Sequence, residues 1–320
     1  MYAVTPAWHR IGTVLEECFT AEQALQIINP DRIPVQSWKA GVKDPVTGEW
    51  YETEDFTGTV QIEGMDDQGR KKITVFDYPT PDHQLVQDWE QLAWMDEIVR
   101  TQGGAHYEAA VKLRGGRQTA LTINLGAVIL DPQERADLNH RFLFGANSHN
   151  RSWPLMAKLA NMRGECANMS AVIMASHSPE YRIKHTSNIM SRVAIAQNAL
   201  GMAVEYNNLY YAEAELLIHT PMPDNTFKRI LETIFVADDG EKDVESINTC
   251  RGIYELNPAQ INLKGTLWGG FNAVTFFNDW GTKVRGSRTS SADEMRFIRQ
   301  FDDTKGIKQK AWDLFVGATA

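Results

Sequence analysis

The spacing of apolar residues in the first 80 positions predicts one short helix and two β-hairpins. Residues 20–23, TAEQ, have the form of a capping box, and the apolar residues after them follow a helical period as far as Asn29-Pro30, where the helix is expected to end. The turn-forming segments 44–48 and 66–69 each separate two β-favouring segments. A hairpin-rich region is therefore expected over residues 1–80.

A longer helix and a third hairpin are predicted next. Apolar residues recur at helical spacing over residues 85–99, so a helix is expected to begin at Pro81-Asp82 and to end at Gly103-Gly104. β-favouring residues on both sides of residues 114–117, RGGR, predict a hairpin over residues 107–125. The tip of this hairpin would carry two arginines.

The remaining segments are shorter or less clearly patterned. Strands are expected at residues 142–146 and 153–160, and a short helix at residues 166–174. Residues 268–280 form a mostly apolar run that is compatible with either helix or strand, and a last helical segment is expected after the polar linker 287–291. This half of the chain therefore mixes strands and helices.

The longest apolar seam lies between these segments. Apolar residues from Ile189 to Leu217 follow one another at intervals of 3, 4 or 7 positions, which predicts a helix over residues 186–219. Its seam covers about 30 residues, or about 45 Å at 1.5 Å per residue. Such a seam is expected either to lie across a sheet or to meet another subunit.

Together these patterns predict the fold class α+β. An antiparallel β-meander and hairpins would pack against one long helix, with additional peripheral helices and hairpins. The chain divides into a hairpin-rich region over residues 1–80, a central core with the long helix over residues 81–220, and a C-terminal region over residues 221–320 that packs on the core. The three regions could equally form one domain.

The amino-acid composition indicates what kind of protein this is and in which compartment it is expected. The chain has 320 residues, of which 43% are apolar and 23% charged, as in a folded protein. Its cysteines, Cys18, Cys166 and Cys250, fit neither a disulfide framework nor a CxxC metal site, which favours a reducing, intracellular setting. No segment approaches the roughly 18 apolar residues of a membrane span, and no signal peptide is evident. No membrane association is expected.

The net charge of −9 is unevenly distributed along the chain. Residues 141–200 carry seven basic and two acidic groups, and residues 281–310 carry eight basic and four acidic groups. Lys and Arg neutralise phosphates only where they cluster, so these two segments are the places where an anion-binding face is expected. Ordinary solvated surfaces would produce the same pattern.

The motifs of the common enzyme classes are absent, and neither a metal nor a cofactor is expected. One group of residues could carry nucleophilic catalysis, with Cys166 as thiolate, His149 or His185 as its base, and Asn168 to orient the imidazole. The alternative is that Cys166 is a small buried residue and that the polar side chains satisfy backbone groups in turns.

A second group combines basic and aromatic residues. In a groove for single-stranded nucleic acid, Lys and Arg bind phosphates and aromatic rings stack on bases. An aromatic core beneath a solvated basic surface would look the same in sequence. The residues of this group are Arg114, Arg117, Arg151, Lys158, Arg163, Lys184, Trp153 and Tyr181.

Several motifs together resemble the phage and plasmid family known as domain of unknown function 932. They are WHRIG at residues 8–12, LRGGR at residues 113–117, NSH at residues 147–149 with Ser152, RGECAN at residues 163–168, RIKHT at residues 182–186, and Trp268 with NAVT at residues 272–275. The chain departs from the family at Asn150 and Arg151, where Asp and Gly are usual, and at Met169, where Thr is usual. The resemblance implies a mobile-element origin and the cytoplasm of an infected bacterium, but no settled activity.

The leading hypothesis is a non-enzymatic protein that binds or anneals single-stranded nucleic acid in replication or recombination. The expected meander and long helix are similar in outline to the ring-forming annealing proteins of phages, so a homo-oligomer is expected as well. A host-modifying or anti-defence enzyme built on the cysteine and histidine group is the second hypothesis. A virion or scaffold component is the third.

Overall fold

The computed structural model describes residues 10–18, 20–65, 67–78, 83–101, 103–172, 178, 180–185, 203–237, 240–301 and 306–319. In chain order the elements are β1 (Thr13–Cys18), α1 (Ala21–Ile28), β2 (Val35–Lys43), β3 (Trp50–Met65), β4 (Lys71–Asp77), α2 (Asp88–Thr101), β5 (His106–Leu113), β6 (Gln118–Leu130), β7 (Asp137–Ser148), β8 (Leu155–Arg163), β9 (Met169–Ser170), β10 (Glu180–Ile183), α3 (Ala203–His219), α4 (Asp224–Ile234), α5 (Val244–Leu256), α6 (Leu267–Phe276), α7 (Ala292–Phe301) and α8 (Ile307–Gly317). None of these helices has the length and apolar character needed to cross a membrane.

The strands form two antiparallel sheets, and the fold class is α+β. In the large sheet the order is β1-β5-β6-β7-β8-β10, with β9 paired to β8, so β5 to β8 make a continuous meander. The small sheet has the order β2-β3-β4. All the hairpins expected from the sequence are present, including those that turn near residues 44–48, 66–69 and 114–117.

Both faces of the large sheet are covered, so alternate residues of a central strand enter different cores. On β8, Leu155, Ala157 and Leu159 belong to the main core, whereas Met156 and Ala160 face the second core on the opposite side. Every residue of β8 is buried as a result. The main core lies beneath the helices α1 to α6 and α8, and the second core lies beneath α7, as the buried residues of these elements show.

The helix α6 lies at the centre of the C-terminal helices. Its residues from Leu267 to Thr275 are all buried. Trp268 packs edge-on against Tyr210 of α3, and the Tyr210 ring stacks on Trp312 of α8 with centroids 4.8 Å apart. The seam residues Tyr210, Ala214 and Leu217 of α3 are therefore buried inside the chain.

Three expectations about helices need correction or completion. The helix expected from Pro81-Asp82 begins instead at Asp88, and residues 83–87 are not helical. Its start is fixed by Glu90, whose carboxylate accepts a hydrogen bond from the backbone N–H of Gln87 at 2.8 Å, in the manner of a capping box. Residues 79–82 lie outside the described ranges.

The short helix expected over residues 166–174 is wrong for the part described. Residues 164–166 form a turn, Ala167 has a left-handed backbone (φ 48°), and β9 begins at Met169. Of the helix expected over residues 186–219, the structure describes the 17 residues of α3. Residues 186–202 lie outside the described ranges, as do residues 8 and 9 of the WHRIG motif and residues 173 and 174, so the single long helix stays a prediction.

The close packing of α6 generates a stability prediction. A Cβ at Gly269 would collide with the backbone carbonyl oxygen of Leu263, which cannot move like a flexible side chain. We expect Gly269→Ala to destabilise the protein by about 1–3 kcal/mol, the usual cost of overpacking. Gly252 in α5 is the matched control, because a Cβ there meets nothing within 4 Å. Gly252→Ala should be neutral or stabilising by about 0.5–1 kcal/mol. Urea denaturation of both variants measures the difference, and equal effects would contradict the packing described.

Candidate nucleic-acid interface

The two ends of the large sheet carry different chemistry. We call the end with the tip 114–117, the turn 149–154 and residues 184–185 the hairpin end. The register places these segments together, because Gln118 pairs with Ser148 and Ile183 pairs with Leu155. The opposite end, where β7 begins and β8 ends, is called the distal end.

At the distal end, Arg163 lies in a buried polar network. Its side chain is 1% exposed, and its Nε donates to Asp137 Oδ1 at 2.5 Å. The guanidinium also donates to the carbonyl oxygen of Ala259 and to Asn262 Oδ1. Asp137 accepts a further hydrogen bond from Trp268 Nε1 at 2.9 Å. All these partners are internal, so the Arg163 charge fastens the C-terminal segments to the sheet rather than facing solvent.

Cys166 belongs to the same network. The side chain is fully buried, and its Sγ contacts Asn168 Oδ1 and lies 3.6 Å from Arg163 Nη1. Asn168 in turn donates to Asn272 and Thr275 of α6. Burial raises the pKa of the Cys166 thiol, and the nearby Arg163 guanidinium offsets only part of this rise. A buried thiol with a raised pKa is a poor nucleophile.

The structure does not bring Cys166 and His149 together. Asn139 of β7 pairs with Arg163, close to Cys166, whereas His149 follows the far end of the same strand. The ten residue-to-residue steps from Asn139 to His149 span about 33 Å at roughly 3.3 Å per residue. His185 lies at the hairpin end with His149, so neither imidazole can serve as a base for the thiol in this conformation.

Two more of the sequence candidates are buried between β8 and α7. Lys158 Nζ donates to the carbonyl oxygen of Phe301 at 2.5 Å and lies 3.3 Å from a Glu180 carboxylate oxygen. Trp153 is 6% exposed and packs against the Phe301 ring, with centroids 5.5 Å apart. The two basic segments, residues 141–200 and 281–310, therefore meet here, but the contact is made by apolar rings and a backbone carbonyl.

The arginines of the β5–β6 tip lie at the hairpin end and are only partly buried. Arg114 has a left-handed backbone (φ 52°), and its N–H donates to Glu294 of α7 at 3.0 Å. Arg117 donates to the carbonyl oxygens of Arg114 and Val75, each at 3.0 Å, and lies over the Phe76 ring. Two of its N–H groups are thus used to hold the guanidinium in place, and a guanidinium has five.

Arg151 and Lys184 complete the basic group, and both side chains are exposed. Arg151 Nε donates to Asp77 Oδ2 at 2.6 Å, and Arg151 also donates to the carbonyl oxygen of Tyr78. Because a carboxylate and a backbone carbonyl fix Arg151, its position is defined relative to the small sheet. Lys184 follows β10 directly, beside the turn that carries Arg151.

Three histidines lie behind these basic residues. His149 stacks on Phe76, and its Nε2 is 3.3 Å from the buried Asp88 carboxylate. His185 is 9% exposed and stacks on His83 with ring centroids 5.0 Å apart. Burial, the His185 ring and the Arg151 guanidinium lower the pKa of His83 to about 4, and burial lowers the pKa of His185. Both rings are therefore neutral at pH 7.

Aromatic residues of the small sheet were missed by the sequence reasoning. Tyr78 is 56% exposed and lies against Gly58, which pairs with Trp38 across the strands. Trp38 is 37% exposed. Tyr181, which was a candidate, is half-buried and packs against the main core. Recognising Tyr78 and Trp38 would have required knowing that β2 is exposed over residues 36–39.

The structure thus defines the class of the protein: it has an antiparallel α+β fold with basic residues at the hairpin end of the large sheet. The family model described as Domain of unknown function (DUF932) matches residues 76–299, and the chain belongs to this family. Comparison with curated proteins and with solved structures gave no match. The match covers the whole meander and all the hairpin-end residues described above.

The environment of the cysteines generates a labelling prediction. Cys18, Cys166 and Cys250 are all buried, and burial raises the pKa of each thiol. We expect a thiol reagent at pH 8 to modify less than one equivalent in the native protein and three after unfolding in guanidinium chloride. The Cys166→Ser variant should give two after unfolding. Rapid native labelling that disappears in Cys166→Ser would show a reactive Cys166 and contradict the burial.

Proposed function

We propose that this protein binds single-stranded nucleic acid at the hairpin end of its large sheet. The observation that carries the proposal is the convergence of Arg114, Arg117, Arg151 and Lys184 beside exposed aromatic rings. These residues come from three separate segments, and the antiparallel register brings the segments to one end. Clustered cations next to aromatic rings are the two components that single-strand binding requires.

The arginines are held in position before any ligand arrives. Arg117 is fixed by two carbonyl oxygens and the Phe76 ring, and Arg151 is fixed by Asp77 and Tyr78. A held side chain loses less conformational entropy on binding than a free one, which favours affinity. The N–H groups of both guanidinium groups that are not used internally remain available to phosphate oxygens.

The rings of Tyr78 and Trp38 supply the stacking component. Tyr78 follows β4 directly after Asp77, the partner of Arg151, so a nucleotide whose phosphate contacts Arg151 would have its base within reach of the Tyr78 ring. Trp38 lies beyond Tyr78 on the small sheet. The bound nucleic-acid strand would therefore run from the tip of the β5–β6 hairpin onto the small sheet.

Lys158, Arg163 and Trp153 are not part of the proposed surface, because each is buried and has internal partners. Tyr181 is half-buried and is also left out. We keep the biological setting inferred from the sequence as part of the proposal: a phage- or plasmid-encoded protein that acts in replication or recombination as a homo-oligomer. The basic hairpin end supports the nucleic-acid part of the proposal.

The tip arginines provide the first test. The double variant Arg114→Ala/Arg117→Ala should bind a labelled poly-dT strand more weakly. The slope of log K against log salt should fall by about 1.4, because each phosphate contact to a single strand contributes about 0.7. Fluorescence anisotropy at several salt concentrations measures both quantities.

The matched control is Arg229→Ala/Arg251→Ala, which removes the same charge from exposed positions on α4 and α5. This control should keep the wild-type slope. Equal slopes for the tip variant and the wild-type protein would remove the tip from the interface, and no binding by wild-type protein at low salt would end the proposal.

Tyr78 provides a second, non-electrostatic test. Tyr78→Ala should cost about 1–3 kcal/mol of binding free energy with little change in salt slope, because stacking on one base contributes about this much. Tyr78→Phe keeps the ring and should bind as the wild-type protein does. If Tyr78→Phe lost as much affinity as Tyr78→Ala, the hydroxyl rather than the ring would be the contact, and stacking would be wrong.

A further inference from the structure

The outer edge of β2 is an exposed strand edge. In the small sheet β2 pairs with β3 on one side, and no strand of the described residues pairs with its other side. Residues 36–39 of this strand are all exposed. The backbone N–H and C=O groups of such an edge are a ready template for pairing with another chain. The geometry of this edge decides which strand can pair with it.

A side chain already occupies the first position of the edge. The amide group of Gln87 accepts a hydrogen bond from the backbone N–H of Val35 and donates one to its carbonyl oxygen, each at 2.9 Å. Both backbone groups of Val35 therefore point away from β3. Because the direction of these groups alternates along a strand, those of Ser37 and Lys39 also point outward, whereas those of Trp38 point towards β3.

The other end of the edge is limited as well. The pairing between β2 and β3 shifts register between Lys39 and Gly41, so the regular alternation is interrupted there. We call residues 36–40 the open edge. Within it, Ser37 and Lys39 are the two residues whose backbone groups point outward. A partner strand must therefore form its hydrogen bonds with these two residues.

So short an edge selects one register for antiparallel pairing with an identical strand. Only residues with outward backbone groups can form hydrogen-bonded pairs, so Ser37 can face either Ser37 or Lys39 of the partner. If Ser37 faced Ser37, Lys39 would face Val35, whose backbone groups are bound by Gln87. If Lys39 faced Lys39, like charges would oppose each other. The pairing of Ser37 with the partner's Lys39 avoids both conflicts.

The selected register is also complementary in its side chains. It places Trp38 opposite the partner's Trp38 in a non-hydrogen-bonded pair, where the side chains of facing strands come closest. Trp38 is 37% exposed, and aromatic pairs across strands are stabilising. The Lys39 ammonium lies 3.5 Å from a Glu52 carboxylate oxygen and would face Ser37 rather than a second charge. The open edge thus fits a second copy of itself.

We propose that two copies of this protein associate through the open edges of their β2 strands, with Trp38 at the two-fold axis. The two small sheets would then form one continuous sheet of six strands. Val42, which is 63% exposed, would come beside the partner's Pro34. Because Trp38 pairs with Gly58, against which Tyr78 lies, both Trp38 rings would stay on the sheet face that carries Tyr78. The pairing is therefore compatible with the proposed nucleic-acid surface.

A cysteine at the two-fold axis tests the register directly. In Trp38→Cys the two Cα atoms would lie about 4.5 Å apart, within the range that a disulfide spans. Mild oxidation should therefore link this variant into covalent dimers on a non-reducing gel, with little background because the native cysteines are buried. Gln36→Cys is the matched control, because it is exposed on the same strand but would face the partner's Ala40. Its two cysteines would stay about 13 Å apart.

Two charge variants test the same pairing by sedimentation velocity at several protein concentrations, without nucleic acid. The wild-type protein should associate reversibly into dimers. In Ser37→Lys the new charge would face the partner's Lys39, so the dissociation constant of the dimer should rise at least about 3-fold, since the two-fold axis creates this pair twice. In Ser37→Glu an opposite charge would face Lys39, and the dimer should be at least as stable as that of the wild-type protein.

Three outcomes would overturn the proposal. They are a wild-type protein that stays monomeric at every concentration, equal dissociation constants for Ser37→Lys and Ser37→Glu, and equal cross-linking of Trp38→Cys and Gln36→Cys. The inference rests on the homo-oligomer of the proposed function and specifies its interface. Because these measurements contain no nucleic acid, loss of the dimer would leave the single-strand proposal standing, and loss of poly-dT binding would leave the dimer standing.

Discussion

Coverage of the large sheet on both faces is the constraint on which the rest of the structure depends. A strand such as β8, buried at every position, has no solvent side for its polar residues. Each polar side chain must therefore find an internal partner, because an unpaired buried charge is very costly. Arg163 meets Asp137 and Lys158 meets Glu180 and a backbone carbonyl for this reason. Chemistry directed at an outside ligand is confined to the ends of the sheet.

The sequence predicted the hairpins well because their signals are local. The tip 114–117 and the turn 44–48 are set by residues within a few positions of each other, and so is the capping box at Thr20. The start of α2 was missed although its capping pair, Gln87 and Glu90, is local. The segment after Cys166 was predicted wrongly because distant contacts decide it. Met169, for example, donates its backbone N–H to Asp279, 110 residues away.

The candidate site was predictable only in part, because charge patterning is visible in the sequence whereas burial depends on distant contacts. Charge patterning drew attention to Arg114, Arg117 and Arg151, which lie together at the hairpin end. It could not separate them from Lys158 and Arg163, since a basic residue looks the same in sequence whether it faces solvent or a buried carboxylate. Burial of the latter two depends on α7 and on residues 259–262, more than 90 positions further along the chain.

The family match begins at residue 76, inside β4. This boundary separates Arg117 from one of the groups that hold its guanidinium. The Val75 carbonyl that accepts from Arg117, and Trp38 on the neighbouring strands, precede the boundary, whereas the three arginines and Tyr78 follow it. The matched region therefore contains the cationic tip but not every group that holds its second guanidinium. The small sheet thus helps to fix a basic end whose cationic residues all belong to the matched region.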